Sequence, residues 1–187
     1  MNNTENNKRI AVLVSGGGTN LQALIDNDLA KYITIVISNK AGAYALQRAG
    51  IAGIDTALID DDTQLLKTLT DLQIDLIVLA GYTKILKGDI LTTFDKKIIN
   101  VHPSLIPSFC GDGFYGLKVH EAALNRGVKV TGATVHYVND IVDGGEIIAQ
   151  KCVQILPNDT PETLQKRVMQ QAEHMILPQV VKQILNI

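Results

Sequence analysis

Asn100 and His102 have the side chains of this sequence that are best suited to chemistry. They end a β-branched run at residues 98–102, and Pro103 favours an extended backbone at the histidine. Because side chains alternate along a strand, the amide of Asn100 and the imidazole of His102 point to the same face. Ligands of α/β sheets bind at the carboxyl ends of the strands. The pair therefore predicts a functional site, against the simpler interpretation of a strand that ends in two incidental polar residues.

Asp143 is the candidate acidic partner of this pair. It lies in a Val-Asp-Gly-Gly segment between strands that we predict at residues 130–138 and 146–155. Asp-Gly alone is typical of a hairpin turn. Residues 139–142 make the connection longer than a tight turn requires, so we expect an active-site loop in which Asp143 faces His102. A carboxylate beside an imidazole favours the protonated ring.

Three glycines occupy residues 16–18, within Ser-Gly-Gly-Gly-Thr-Asn, between the first predicted strand and the first predicted helix. Glycines at such a position let backbone amides turn towards an anion, which the start of a helix also attracts. No Gly-Lys-Ser/Thr follows, Leu21 stands where a dinucleotide fingerprint has its third glycine, and the second strand ends at Asn39-Lys40 instead of in an acidic residue. The pattern predicts a phosphate site for a smaller ligand; the alternative is a tight turn with Thr19 as helix cap.

The remaining histidines are weaker candidates. His120 has helical spacing with neighbouring leucines, which predicts a half-buried structural residue, and His136, in the middle of a strand, predicts a structural or supporting role. Glu173-His174 is most simply a solvated helix face, with Glu173 as an alternative contact for a polar ligand. No group of residues has metal-ligand spacing, so we expect no metal.

Strand and helix patterns alternate through the first part of the chain. Continuous apolar runs predict buried strands, as at residues 10–14 and 76–80. The alternation predicts an α/β fold with a Rossmann-like, doubly wound and mostly parallel sheet. After Gly127 the pattern changes to a pair of hairpin-like strands, which predicts antiparallel strands added in the C-terminal half. We expect a single domain at residues 9–187, after a disordered extension at residues 1–8.

The last helical region has its own signals. Thr160-Pro161-Glu162 predicts a helix start, and an apolar stripe follows at helical spacing. The stripe consists of Leu164, Val168, Ala172, Met175 and Ile176. Pro178 is expected to break or kink the helix.

The composition is that of a globular protein, with 187 residues of which 46% are hydrophobic and 19% charged. The formal net charge of −2 gives no basic surface for nucleic acid or membrane, and aromatic residues, at 4%, are too scattered to stack bases. Cys110 and Cys152 are too few for a disulfide framework. No apolar run approaches the length of a membrane span, and residues 1–7 lack the apolar core of a signal peptide. We expect a soluble, cytoplasmic protein that binds small molecules, as a monomer or homodimer.

Four segments occur in an order that resembles a known family. They are Ser15-Gly16-Gly17-Gly18-Thr19-Asn20-Leu21, Leu79-Ala80-Gly81-Tyr82, Asn100-Val101-His102-Pro103-Ser104-Leu105-Ile106-Pro107 and Asp143-Gly144-Gly145. Together they resemble the phosphoribosylglycinamide formyltransferases, the folate-dependent enzymes of purine synthesis. The resemblance runs from about Arg9 to the C-terminus. The Asn-x-His-Pro segment with a later Asp-Gly marks the wider superfamily that uses 10-formyltetrahydrofolate.

The resemblance implies roles for individual residues. Asn100, His102 and Asp143 match the catalytic triplet. The phosphate and ribose of the glycinamide ribonucleotide would be held by Gly17, Gly18, Thr19, Asn20, Gln170 and Glu173. The folate, as 10-formyltetrahydrofolate, would contact Thr83, Lys84, Ile85, Leu86, Asn100, Asn139, Asp140, Ile141, Val142 and Asp143.

The family chemistry explains why these residue types are needed. In the family reaction the amine attacks the formyl carbon, and Asn100 and protonated His102 would stabilise the resulting oxyanion. His102 would also shuttle protons, directly or through water, while Asp143 would position the water and the imidazole.

This sequence departs from the family in three places. Thr83-Lys84 stands where many members have Met-Arg, which changes the lining of the pterin pocket. Residues 60–73 form a shortened segment without an arginine that members often place near the folate tail. Residues 109–115 read as an insertion beside the active site. We expect these departures to modify substrate contacts and to leave the chemistry in place.

Three other functions compete with this assignment. Formyltetrahydrofolate deformylase shares the triplet but normally carries an N-terminal regulatory domain, whereas the first strand here begins within ten residues of the start. Methionyl-tRNA formyltransferase is disfavoured because no second domain and no basic surface are evident. A non-catalytic, Rossmann-like sensor of phosphate ligands would need the glycines but not the triplet.

Overall fold

The first predicted strand is present as β1 (Ile10–Val14) in the computed structural model, which describes residues 8–187. All five residues of β1 are fully buried. A continuous apolar strand of this kind needs cover on both faces, which parallel strands obtain from the helices that connect them. Residues 1–7 of the predicted N-terminal extension lie outside the described residues.

The chain divides into two compact units, the first ending at Ile98 and the second running from Ile99 to Ile187. The single domain at residues 9–187 stays a prediction. Strands and helices alternate in the first unit: β1, α1 (Thr19–Leu24), β2 (Ile33–Ser38), α2 (Tyr44–Ile51), β3 (Asp55–Leu58), α3 (Asp62–Asp71), β4 (Leu76–Leu79) and α4 (Asp89–Thr93). A π-helical turn at Ile25–Leu29 and a 3₁₀ turn at Ala30–Tyr32 lead into β2. β1 pairs in parallel with β2 and β4, and β2 pairs in parallel with β3.

The second unit is built around antiparallel strands. Its elements, with the strand that begins at Ile98, are β5 (Ile98–His102), α5 (Leu117–Arg126), β6 (Val130–Tyr137), β7 (Ile147–Gln154), α6 (Pro161–Val168) and α7 (His174–Leu185). β6 pairs antiparallel with both β5 and β7. The seven strands within residues 8–187 form one mixed sheet in the order β3-β2-β1-β4-β5-β6-β7. The predicted fold class, a mostly parallel doubly wound sheet with antiparallel strands added in the C-terminal half, is confirmed.

Two helix ends follow their sequence signals closely. α5 ends at Gly127, which adopts φ 75° in the left-handed region where glycine is favoured. α6 begins after Thr160, whose side chain accepts a hydrogen bond from the Thr163 backbone N–H, while the Thr163 hydroxyl accepts one from the Thr160 N–H. This reciprocal pair is a capping box, and it explains why the helix starts at Pro161.

The C-terminal helical region differs from its prediction at two residues. α7 continues through Pro178, where a break or kink was expected. The irregularity lies earlier, in a π-helical turn at Met169–Glu173 that ends where α7 begins. A π turn holds one more residue than an α turn and rotates the following helix face. Ile176 is consequently buried, whereas Met175, predicted in the apolar stripe, is 45% exposed.

Candidate active site

The pairing of β5 with β6 aligns four polar residues. Asn100 lies opposite His136, and His102 lies opposite Thr134. Positions two apart on a strand share a face, so all four side chains are on the same side of the sheet. His136 is therefore a cross-strand neighbour of the candidate catalytic pair. Sequence reasoning gave it only a structural or supporting role, because no local signal reveals the register between strands that a helix separates.

His102 is held between two acceptors. Its side chain is 5% exposed, and its Nε2 lies 2.9 Å from the carbonyl oxygen of Phe109. Since a carbonyl only accepts, Nε2 carries a hydrogen and donates it. Nδ1 lies 3.5 Å from Oδ2 of Asp143. A doubly protonated ring would therefore face a hydrogen-bond acceptor at each nitrogen.

Asp143 reaches His102 from a strained position in its loop. Its φ of 54° lies in the left-handed region, which a non-glycine residue rarely adopts. The turn around it closes through a hydrogen bond from the Gly144 backbone N–H to the Ile141 carbonyl. A Cβ at Gly144 would lie 2.5 Å from the Ile141 side chain, and one at Gly145 would overlap the Tyr137 carbonyl oxygen. These glycines are thus required by close packing, and the packing holds the carboxylate in place.

Asn100 is oriented by His136. The Nδ1 of His136 lies 2.8 Å from the carbonyl oxygen of Tyr137, and its Nε2 lies 3.1 Å from Nδ2 of Asn100. Burial, the largest effect, lowers the pKa of His136 below its ordinary value, although the hydrogen bond to the Tyr137 carbonyl and the charge of Asp143 act in the opposite direction. The neutral ring accepts a hydrogen bond from the Asn100 amide, which leaves the second amide hydrogen for another acceptor.

The segment at residues 109–111 touches both catalytic candidates through its backbone. The Phe109 carbonyl accepts from His102, and the Gly111 N–H donates to Asp143 Oδ2 at 2.9 Å. Phe109 itself adopts a φ of 53°. Burial raises the pKa of the Cys110 thiol between them, and the charge of Asp143 adds to that shift. The predicted insertion therefore contacts the candidate site directly, by main-chain groups that no side-chain pattern could indicate.

The turn that follows β5 is anchored by Thr134. Its hydroxyl donates to the Ser104 carbonyl at 2.7 Å and accepts from the Ile106 N–H at 3.1 Å and from the Gln150 amide at 3.0 Å. Thr134 is fully buried. This network fixes the chain immediately beyond His102.

His120 is fully buried, where the sequence predicted a half-buried residue. Neither of its ring nitrogens has a hydrogen-bond partner among residues 8–187. Burial lowers the pKa of His120 to about 4, and the charge of protonated His102 adds to the shift. The ring is neutral at physiological pH.

The glycine-rich turn lies in the first unit. Gly18 precedes α1 with φ 73°, and a Cβ there would lie 2.5 Å from that of Ala45. Gly16 and Gly17 have open space around them and no such backbone constraint. The Nε of Arg48 donates to the Gly17 carbonyl at 2.8 Å, a contact from α2 that the sequence did not reveal.

Thr19 and Asn20 begin α1. No side chain caps this helix, so the alternative role of Thr19 as helix cap is wrong. Thr19 is the first helical residue, partly exposed, and Asn20 is buried. The turn therefore lies immediately before the start of α1, the position at which an anion site is expected.

The comparison with known proteins identifies the family. The profile of the family described as Formyl transferase matches residues 8–181. The chain belongs to the formyl transferase family. Asn100, His102 and Asp143 lie in two of the four segments that resemble this family.

Named relatives and solved structures agree with this family. A phosphoribosylglycinamide formyltransferase of Haemophilus influenzae is 43% identical over 94% of this chain and 86% of its own length. A crystal structure of phosphoribosylglycinamide formyltransferase from Anaplasma phagocytophilum has a TM-score of 0.87 at 40% identity, covering 95% of this chain and 86% of that one. The bovine trifunctional purine biosynthetic protein adenosine-3 is 42% identical over 95% of this chain, which spans only 18% of the length of that relative.

The first segment that the family resemblance assigns to folate lies after β4. Thr83 donates its backbone N–H to the Ser15 hydroxyl at 2.9 Å. Lys84 forms ion pairs with Asp62 at 2.8 Å and Asp60 at 3.5 Å, so the segment that we predicted to be shortened supplies two carboxylates to it. Among its apolar members, Leu86 is buried and Ile85 is 49% exposed.

The second folate segment and the ribose candidates lie in the other unit. Asn139 accepts a hydrogen bond from the Ile141 N–H, while the side chains of Ile141 and Val142 are 63% and 36% exposed; Asp140 is exposed as well. Gln170 is exposed, but Glu173 is 7% exposed, so the prediction of a solvated face is wrong for this carboxylate. The π-helical turn that carries both packs against β6 and β7.

Two features are absent from the described part of the chain. No helix within residues 8–187 is long and apolar enough to span a membrane. Within the same residues, no group of three or more His, Cys, Asp and Glu side chains could hold a metal ion.

Proposed function

We propose that this chain transfers the formyl group of 10-formyltetrahydrofolate to the amine of phosphoribosylglycinamide, a step of purine synthesis. The observation that carries the proposal is the arrangement of Asn100, His102 and Asp143 in this chain. The amide of Asn100 and the imidazole of His102 lie on one face of β5, and the carboxylate of Asp143 lies 3.5 Å from that imidazole. The names of its full-length relatives support the choice of acceptor.

The reaction needs donors for a developing oxyanion. When the amine attacks the formyl carbon, the carbonyl oxygen gains negative charge. Asn100 can donate the amide hydrogen that His136 leaves unused, and protonated His102 can donate a ring N–H. Asp143 faces the other nitrogen of that ring and stabilises its charge.

His102 must change a partner to take part. Its Nε2 donates to the Phe109 carbonyl, and a formyl oxygen that accepts from the same N–H has to replace that carbonyl. The Phe109 carbonyl loses its donor in this exchange, so water or another N–H has to replace that hydrogen bond. A proton then passes from the attacking amine to the folate nitrogen through His102 or a water held by Asp143, and the bond between that nitrogen and the formyl carbon breaks as the carbonyl re-forms.

The substrates would be held by polar groups that the family resemblance assigns to them. We place the ribonucleotide phosphate at Gly17, Gly18, Thr19 and Asn20, supported by the open glycines and by Arg48, which adds a positive charge to the turn. We place its ribose at Gln170 and Glu173. The folate would contact residues 83–86 and 139–143, where Ile85 and Ile141 offer exposed apolar surface.

The cytoplasm stays the expected compartment, and a monomer or homodimer stays the expected assembly. A small-molecule transferase with a net charge of −2 gives no reason to invoke nucleic acid or membrane as a partner.

The test is an assay of the purified protein with 10-formyltetrahydrofolate, with and without phosphoribosylglycinamide. We expect folate release and formylated product only when the acceptor is present. Folate release at the same rate without acceptor would show a deformylase, and binding of both ligands without turnover would show a sensor. A matched His102→Gln variant, which removes the titratable ring, should abolish turnover while retaining both ligands.

A further inference from the structure

His136 lies beside the catalytic pair, and a role for it in the site rests on the proposed function. His136 is 2% exposed and lies directly opposite Asn100 on β6. The Tyr137 carbonyl, 2.8 Å from Nδ1, can only accept a hydrogen bond, so Nδ1 carries the ring hydrogen. In the neutral ring Nε2 is then a lone-pair acceptor.

This tautomer decides which way the Asn100 amide faces. An asparagine amide presents a donor on one side and an acceptor on the other. With an acceptor at His136 Nε2, 3.1 Å away, the nitrogen of the amide turns towards the histidine and keeps its second hydrogen for the site. The opposite orientation would place the amide oxygen where a negative charge develops, which is repulsive.

We propose that His136 is a positioning residue that, as the Nδ1–H tautomer, holds the Asn100 amide with its nitrogen available to the formyl oxyanion. The chain of contacts runs from the Tyr137 carbonyl through the imidazole to the amide. A backbone carbonyl of β6 thus sets the orientation of a catalytic side chain on β5.

Protonation of His136 would reverse the device. Once Nε2 carries a hydrogen, it can no longer accept a hydrogen bond from the Asn100 amide. That N–H would instead face Oδ1 of Asp143, 3.7 Å from Nε2. The charges that act on this ring are those of Asp143, which favours protonation, and His102, which opposes it. Burial outweighs the carboxylate and keeps the ring in its accepting form at neutral pH.

Two uncharged variants test separately the two hydrogen bonds of the His136 ring, one with the Tyr137 carbonyl and one with the Asn100 amide. His136→Asn retains a donor near the Nδ1 position but loses the acceptor at the Nε2 position, whereas His136→Gln extends an amide oxygen to that position. We expect His136→Asn to lower kcat on the order of 10- to 100-fold, as for a misplaced catalytic group, with KM for both substrates within about twofold of wild type. His136→Gln should recover most of the loss. Equal losses in both variants, or near-normal kcat in His136→Asn, would overturn the proposal.

A double variant distinguishes positioning from a general structural effect. If His136 acts through Asn100, adding His136→Asn to an Asn100→Ala enzyme should change kcat by less than about twofold, because the positioned group is already absent. A loss of kcat in the double variant equal to the product of the two single losses would show that His136 acts independently and would overturn the proposal.

The tautomer can be read in the wild-type protein without any variant. Long-range ¹H–¹⁵N correlation spectra at pH 7 should show His136 protonated at Nδ1 and bare at Nε2. An Nε2–H tautomer would overturn the proposal whether or not the protein is active. Absence of formylation by the wild-type protein would instead overturn the proposed function and would leave the tautomer result standing separately.

Discussion

Two glycine-rich turns of this chain look alike in sequence and differ in structure. In the first, residues 16–18, Gly16 and Gly17 have open space, and only Gly18 combines a positive φ with a close neighbour. In the second, Gly144 and Gly145 have ordinary backbone angles but no room for a Cβ. The residue with the unusual φ there is Asp143 itself.

The difference agrees with the separate roles that we propose for the two turns. The open space around Gly16 and Gly17 lets a ligand approach the backbone closely, as the proposed phosphate site needs. The crowded glycines of the second turn allow the loop to pack on β6, and this packing holds Asp143 in its strained backbone conformation. Glycines thus belong to a proposed phosphate-binding turn in one unit and, in the other, to a turn that holds the side chain of Asp143.

The largest expected effect tests whether the second turn presents a catalytic group. Asp143→Asn keeps the shape of the side chain and removes its charge, so the protonated form of His102 loses its stabilising partner. We expect kcat to fall on the order of 10²-fold or more, measured by steady-state formylation at neutral pH, with ligand binding little altered. Near-normal turnover would reduce Asp143 to a hairpin residue.

Asn100→Ala provides the reference for that result. It should cost a comparable factor, on the order of 10²-fold, because an oxyanion donor is lost. The double variant should be less impaired than the product of the two factors, since both residues serve one transition state. Fully multiplied losses would indicate that the two act in separate steps.

Gly145→Ala tests the packing of the second turn. Its Cβ would overlap the Tyr137 carbonyl, so the loop has to shift away from β6. We expect the free energy of unfolding to fall by about 1–3 kcal/mol, measured by urea denaturation, together with a loss of activity. The matched control is Gly17→Ala in the first turn, which should change stability by no more than about 0.5 kcal/mol. Equal losses of unfolding free energy in the two variants would show that the two turns do not differ in packing.

Gly17→Val tests the first turn as a ligand site. Of the two glycines, only Gly18 has a positive φ, and Gly17 has open space around it. A β-branched side chain at Gly17 should therefore leave the fold intact and obstruct the approach of a phosphate, weakening phosphoribosylglycinamide binding on the order of 10-fold. Calorimetry should find folate binding unchanged. Equal losses for both ligands would point to misfolding instead.

The smallest expected effect is the dependence of stability on pH. It arises in the part of the chain that holds the second turn, because all four histidines follow residue 100. The pKa of His120 is lowered from 6.5 to about 4, so the unfolded chain binds a proton that the folded chain rejects. Stability is complete above pH 6.5 and falls as the pH drops towards 4. Between pH 7 and 6 the loss from His120 should be about 0.5–1 kcal/mol, and His120→Leu should remove that part of the slope in urea titrations. An unchanged slope would show that His120 is protonated in the folded protein.

Much of the local structure was predictable from sequence, because the rules that govern it act over a few residues. The apolar run of β1 required burial on both faces, and strand alternation placed Asn100 and His102 on one face. Gly127 ends α5 and the Thr160 segment starts α6, in each case through hydrogen bonds that close within one turn. The chemistry-bearing residue types were therefore visible, and their resemblance to a family followed from their order.

The contacts that organise those residues were decided by tertiary structure. The register that sets His136 opposite Asn100 joins strands separated by α5 and its loops, and no local pattern encodes it. The Phe109 carbonyl and the Gly111 N–H belong to a backbone that every residue possesses, so only the folded path of the chain brings them to His102 and Asp143. Residue types and alternation were fixed by short-range sterics, whereas partners depend on which distant segments pack together.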